Sequence, residues 1–192
     1  MQYMKECVTL LHITDMSVTE GFRKELRMDN IGKLRNMTSI YLWHNDKVLL
    51  LYRQGSKVVN NMWIGSAGGH FEACELNDAK ACVLRELKEE LAITEDMLCD
   101  LELRYITLRR SNGEIRQNYY FFARVDVDTL PELTSDEGSL RWFSVEELAE
   151  LPMPFSAKCM MEHYVKVGRY TKELYGGVAD GTKVVFTELP EF

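Results

Sequence analysis

Apolar positions in this chain follow two rhythms. Residues 38–43 and 47–52 are apolar runs rich in strand formers. His44-Asn45-Asp46 between them has turn composition, so the pair predicts a β-hairpin. Residues 101–109 and 114–125 read as a second pair of strands, with Ser111-Asn112-Gly113 as the turn. Residues 140–143 and 184–187 predict two further short strands. Helical spacing runs over residues 77–91 and again over 156–170. Between them Ser144-Val145-Glu146-Glu147 has the form of a capping box, opening a short helix that Pro152 ends. Near the start, residues 7–13 read as a strand. Ser17-Val18-Thr19-Glu20 has capping-box spacing, followed by Phe22 and Leu26 as i,i+4 apolar neighbours. The pattern divides into a strand-plus-helix extension over residues 1–36 and a domain over 37–192. Strands and helices mix without strict alternation, which predicts an α/β (α+β) layered domain around a mixed sheet.

Composition narrows the function classes. The chain has 192 residues, 46% hydrophobic and 28% charged, enough to bury a core without disulfides and too apolar for wholesale disorder. A formal net charge of −7 and the lack of a basic block argue against binding a nucleic-acid duplex. The five cysteines are irregularly spaced and form no CxxC, so neither a disulfide framework nor a zinc ribbon is expected. Cys159 and His163 stand four apart, but two ligands do not make a metal site. No apolar run approaches the roughly 20 residues that span a bilayer. The first residues carry no charged-then-apolar signal pattern, so a cytoplasmic location without membrane partners is expected.

The chemistry concentrates in Gly68-Gly69-His70-Phe71-Glu72-Ala73-Cys74-Glu75 and the following Arg85-Glu86-Leu87-Lys88-Glu89-Glu90-Leu91. On a helix Glu86, Glu89 and Glu90 are related by i,i+3 and i,i+4 and share one narrow face. Leu84, Leu87 and Leu91 fall on another face, suited to docking on a sheet. Carboxylates about 4 Å apart at an effective dielectric near 20 repel by on the order of 4 kcal/mol per pair. On an open surface water relieves that repulsion; in a cleft a cation or a raised pKa must do so. Oxygen-only donors suit Mg²⁺ or Mn²⁺. Alone, the three carboxylates also fit a solvated acidic face. The glycine loop adds a backbone able to approach a ligand. Glu75 lies near enough to Arg85 to brace that loop against the helix.

Together these segments resemble the signature box of the Nudix hydrolases: Gly69, five residues and Glu75, then Arg85-Glu86-Leu87-Lys88-Glu89-Glu90-Leu91-Ala92-Ile93. Three positions depart from it. Ala92 replaces a glycine, nine residues rather than seven separate Glu75 from Arg85, and Ala67 stands where a proline is frequent. The resemblance implies a Nudix fold, a mixed sheet sandwiched between helices with the box forming loop–helix–loop. It further implies Mg²⁺ (or Mn²⁺) held by Glu86, Glu89 and Glu90, with the Gly68 carbonyl and Glu137 as further ligands. Glu137 lies in Ser135-Asp136-Glu137-Gly138, which also suits a plain turn.

The implied reaction is hydrolysis of a diphosphate linkage in a nucleoside triphosphate or an oxidised nucleotide such as 8-oxo-dGTP. A nucleotide sugar, ADP-ribose or a dinucleoside polyphosphate are alternatives. Glu86, Glu89 and Glu137 are the catalytic candidates, with the general base undecided among them. Substrate-binding candidates are Arg53, Gly69, Phe155 and Lys158. Arg109, Arg110 and Arg116 flank the predicted turn, where they either meet phosphates or face solvent. A non-catalytic nucleotide-binding module and a prenyl diphosphate isomerase share the fold. The intact carboxylate triplet speaks for hydrolysis. A homodimer is compatible with all of these readings.

Overall fold

A computed structural model of the chain describes residues 33–54 and 59–191. The strand and helix expected before residue 33 lie outside the described residues. Among the described residues eight strands form one mixed sheet: β1 Leu34–His44, β2 Lys47–Arg53, β3 Met62–Ile64, β4 Leu98–Ser111, β5 Glu114–Val125, β6 Gly138–Ser144, β7 Tyr175–Ala179 and β8 Val184–Glu188. Two helices, α1 Ala79–Leu91 and α2 Phe155–Lys166, pack on its two faces. The strand order is β3-β2-β1-β5-β4-β7-β8, with β6 also paired to β2. The pairings β1–β5 and β4–β7 are parallel; the others are antiparallel. This is the layered mixed sheet expected from the sequence. No helix among the described residues is long and apolar enough to cross a membrane.

Period-2 alternation sorts the core. Tyr41, Trp43, Leu50, Tyr120 and Phe122 pack with Met160 and Met161 of α2. Ile40, Leu42, Leu49, Phe121 and Ala123 pack with Val83, Leu87 and Leu91 of α1. The aromatic run at 119–122 is thus divided between two cores.

One irregularity creates the site. β1 pairs with β2 only as far as Leu42 and Leu49; beyond that point β3 takes over as partner of Leu51–Arg53. The segment after β3 enters the fork. The Thr38 and Ile40 amides donate to the Gly69 and Ala67 carbonyls at 2.8 and 2.9 Å. Ser66, fully buried, sits at the fork itself. Its hydroxyl accepts from the Leu42 amide at 2.9 Å and donates to the Leu49 carbonyl at 2.7 Å, which satisfies both strands where their own ladder stops.

Several elements differ from expectation. β1 begins at Leu34, so the domain boundary drawn at 36/37 cuts through a strand. Leu34–Met37 pair with Ile115–Asn118 of β5, and polar Arg35 and Asn36 had hidden that extension. The helix expected to reach residue 170 ends at Lys166, followed by a 3-10 turn over Gly168–Tyr170. There buried Arg104 draws the Gly168 and Thr171 carbonyls to one guanidinium nitrogen at 2.9 and 2.8 Å. The segment opened by Ser144 is a 3-10 helix, Glu146–Glu150. Only half of its capping box forms, the Ser144 amide donating to Glu147 Oε2 at 2.8 Å. β7 has no counterpart in the sequence reading, because Gly176-Gly177 breaks the alternation that would reveal it.

Candidate active site

The loop Gly65 to Glu75 is built to touch α1. Gly68 has φ +148°, and a Cβ there would lie 2.3 Å from the Thr38 carbonyl oxygen. A Cβ on Gly69 would lie 2.3 Å from Glu86 Oε1, so the missing side chain is what admits the Glu86 carboxylate against the loop. The Gly68 amide donates to Glu90 Oε2 at 3.0 Å.

Arg85 organises the junction. Its Nε and Nη2 donate to the two carboxylate oxygens of Glu75 at 2.7 and 3.0 Å. Nη2 also reaches the His70 carbonyl at 3.1 Å and Glu86 Oε1 at 2.9 Å, and Nη1 meets Glu89 Oε2 at 3.0 Å. The brace anticipated between Glu75 and Arg85 therefore forms despite the two extra residues. A 3-10 turn over Ala73–Glu75 and the N-cap at Asp78, which accepts from the Ala81 amide at 2.9 Å, take up the added length. Hydrogen bonds from Arg85 hold the Glu75 carboxyl down to about 2, and the same partner strengthens protonation of Arg85.

The other carboxylates are less well compensated. Burial raises the Glu86 pKa against the opposing pull of Arg85. Burial pushes Glu90 up to about 7; the Gly68 amide opposes this, while Glu137 and Glu86 add to it. Glu137 accepts from Arg53 Nη2 at 2.8 Å through Oε1, and its Oε2 is buried without a hydrogen-bond partner among the described residues.

These groups line a cavity of about 450 Å³. Glu86, Glu90, Glu137, Gly68, Gly69 and Arg53, six of the residues singled out by sequence, all border it. Three do not. Glu89 is 60% exposed and held outside the lining by Arg85. Phe155 is partly exposed at the start of α2, where its neighbours Pro154, Ser156 and Ala157 form the wall instead. Lys158 turns away, its ammonium donating to the Leu148, Ala149 and Leu151 carbonyls. Sequence reasoning missed Arg35, Tyr41 and Asn118 in the lining. Of the arginines flanking the β4–β5 turn, Arg109 and Arg116 face the cavity and Arg110 is exposed.

His70 is exposed at the rim and accepts from Arg35 Nε at 2.6 Å through Nε2. Partial burial, then Arg35, Arg116 and Arg53, lower its pKa, which suits that acceptor role. His163, considered with Cys159, instead pairs through Nδ1 with the Tyr105 hydroxyl at 2.9 Å.

Among the described residues no three acidic, histidine or cysteine side chains already converge as a cation cage. The donor chemistry nevertheless fits a hard divalent ion. The wall offers carboxylate oxygens only, one of them buried and unpartnered, and Glu90 is held against its own ionisation. Two guanidiniums and one amide now occupy the oxygens that such an ion would take.

The sequence model of the NUDIX domain matches residues 33–164. Solved structures of similar fold include the MutT protein of Bacillus halodurans, with TM-score 0.59 and 24% identity over 82% of this chain and 99% of that one. The ORF135 protein of E. coli aligns with TM-score 0.56 and 21% identity, covering 72% and 93% of the two chains. The NUDIX domain of Shewanella oneidensis NrtR, solved with ADP ribose, aligns with TM-score 0.51 and 18% identity, covering 72% and 88%. At these identities the likeness concerns the fold. A search of curated proteins gives no match. The matched span covers well over half of the chain and contains the whole loop–helix wall of the cavity, so the chain belongs to the NUDIX domain family.

Proposed function

We propose that the chain is a divalent-cation-dependent hydrolase of a diphosphate linkage in a nucleotide derivative. The observation that carries this reading is one cavity with a carboxylate wall, arginines beside it, and a set of buried polar atoms that lack protein partners. Among the described residues Tyr41 Oη, Asn118 Oδ1, Ser156 Oγ, Glu137 Oε2 and the Nε atoms of Arg109 and Arg116 are all buried and unpaired, and all six residues line this cavity. Buried polar atoms are normally satisfied, so a concentration of orphans marks a place for a polar ligand.

Glu86, Glu90, Glu137 and the Gly68 carbonyl would hold the cation. Glu89, one turn along from Glu86 and held at the rim by Arg85, completes the set in this reading. Nudix hydrolases generally use divalent cations, and such an ion supplies charge stabilisation and water activation for phosphoryl chemistry. The chain's own groups do the rest. Arg85 positions the helix against the loop and holds Glu86 in place. Arg53 orients Glu137 and is close enough to the wall to meet a phosphate oxygen. Glu86, Glu89 and Glu137 are the candidates to accept the proton of the attacking water. Asn118, Ser156 and Tyr41 offer a hydrogen-bonding floor suited to a nucleobase edge. That floor suits the nucleoside part of a small-molecule partner, which in this reading is a nucleoside triphosphate or an oxidised nucleotide.

The test is a panel assay in Mg²⁺ or Mn²⁺, following pyrophosphate and phosphate release. The panel holds nucleoside triphosphates, 8-oxo-dGTP, ADP-ribose, a nucleotide sugar and a dinucleoside polyphosphate. Turnover of at least one nucleotide is the expected result. Tight binding with no turnover of any would replace the hydrolase with a nucleotide-binding module.

A further inference from the structure

Three arginines of the cavity fall in one register row across adjacent strands. Arg35 of β1 is the partner of Arg116 of β5, and Arg116 is the partner of Arg109 of β4. Residues in register share a face, and neighbouring strands lie about 4.8 Å apart, so the row extends roughly 10 Å across the sheet. Like charges placed directly opposite one another destabilise a sheet. Within this row the compensation is thin. Glu114 Oε2 lies 3.6 Å from both Arg35 Nη1 and Arg116 Nη2, so one carboxylate serves two guanidiniums. Arg109 makes no ion pair among the described residues. The Nε atoms of Arg109 and Arg116 are buried without hydrogen-bond partners among the described residues, and the Arg116 side chain is only 12% exposed.

The row is also connected to the carboxylate wall. Arg35 donates to His70, whose carbonyl accepts from Arg85. Row and wall thus share the glycine loop yet present opposite charge to a single cavity. Guanidinium forks match phosphate oxygens in pairs, and a partly buried, undercompensated row of them suits a dianion.

We propose that Arg35, Arg116 and Arg109 form a second anion site, taking a terminal phosphate group of the substrate outside the diphosphate at the carboxylate wall. The proposal rests on the diphosphate reading of the same cavity and narrows its substrate to nucleotides with an additional phosphate. That phosphate comes either from the ribose or from the end of a longer phosphate chain.

The experiment is calorimetric binding to the full chain in chelator, where cation-dependent turnover does not intervene. AMP, adenosine 3′,5′-bisphosphate and ATP are compared on the wild type and on Arg109→Gln and Arg116→Gln. At least one of the two more highly phosphorylated ligands is expected to bind tenfold or more tightly than AMP. Preference for the bisphosphate assigns the ribose source, and preference for ATP the chain source. Either substitution should reduce that advantage to less than threefold. Equal affinity for all three ligands, no binding of either polyanion, or equal weakening of all three by the substitutions would overturn the proposal. The wild-type comparison stands even where a variant does not fold. Because binding is read without hydrolysis, a chain inactive in the panel assay can still pass this test, and an active chain can fail it.

Discussion

Arg85 is the residue on which the site depends most visibly. One guanidinium holds Glu75 through both carboxylate oxygens, the His70 carbonyl, Glu86 and Glu89. Glu75 is nearly buried, so Glu75→Gln should cost about 1–3 kcal/mol at neutral pH, through loss of a charge-assisted pair. The cost should depend on pH in a defined direction. Folding lowers the Glu75 pKa from 4.5 to about 2, so the pair's stabilisation is whole above about 4.5 and is lost as the pH falls toward 2. Urea unfolding of wild type and variant from pH 7 to 2.5 should therefore show two stabilities that converge in acid. A constant gap would contradict the assignment. The pair was legible in the sequence because both partners belong to the box. The positions of Phe155 and Lys158 were not, since a residue's place in a motif does not say which carbonyls its side chain will find. Lys158 found three at the end of the preceding turn.

At the level of elements, α1 terminates in a way that exposes a departure from the box. Ala92, standing where the signature has glycine, adopts φ 56° and ψ 22°, and its amide closes the helix on the Lys88 carbonyl at 3.1 Å. Left-handed backbone costs a residue with a Cβ roughly 1–2 kcal/mol. Ala92 is exposed, so removing its methyl group leaves no cavity. Ala92→Gly should raise stability by about 0.5–1 kcal/mol, the strain relief being partly offset by the greater entropy of the unfolded chain. A fall in the urea midpoint would show that the strain is absent. Hairpins were readable because both strands and their turn are local. The β4–β5 turn, with Asn112 at φ 54° and Gly113 at φ 80°, has the backbone that its Asn-Gly sequence announces. The fork between β1 and β2 was not readable. It depends on Ser66 meeting Leu42 and Leu49 at once, and nothing in a serine between two small residues signals that.

Across the whole molecule, the two helices cover the apolar parts of both sheet faces, while one polar end stays open as the cavity. The carboxylate wall of that cavity was legible from i,i+3 and i,i+4 spacing. Two arginines of its row, Arg109 and Arg116, were legible as flanks of the β4–β5 turn; Arg35 was not, because parallel pairing joins segments far apart in sequence and no local pattern encodes the register. A chain of net charge −7 thus keeps a cationic surface facing its own acidic wall. In the proposed function this wall captures a divalent ion and Glu86 takes part in cleaving a diphosphate. The direct measurement is the initial rate of product release from the best panel nucleotide as Mn²⁺ is titrated, for wild type and Glu86→Gln. The expected result is no turnover in chelator, saturable activation by the cation, and a kcat lower by roughly 10²–10⁴-fold in the variant. Turnover undiminished in chelator, or a wild-type kcat in Glu86→Gln, would contradict it.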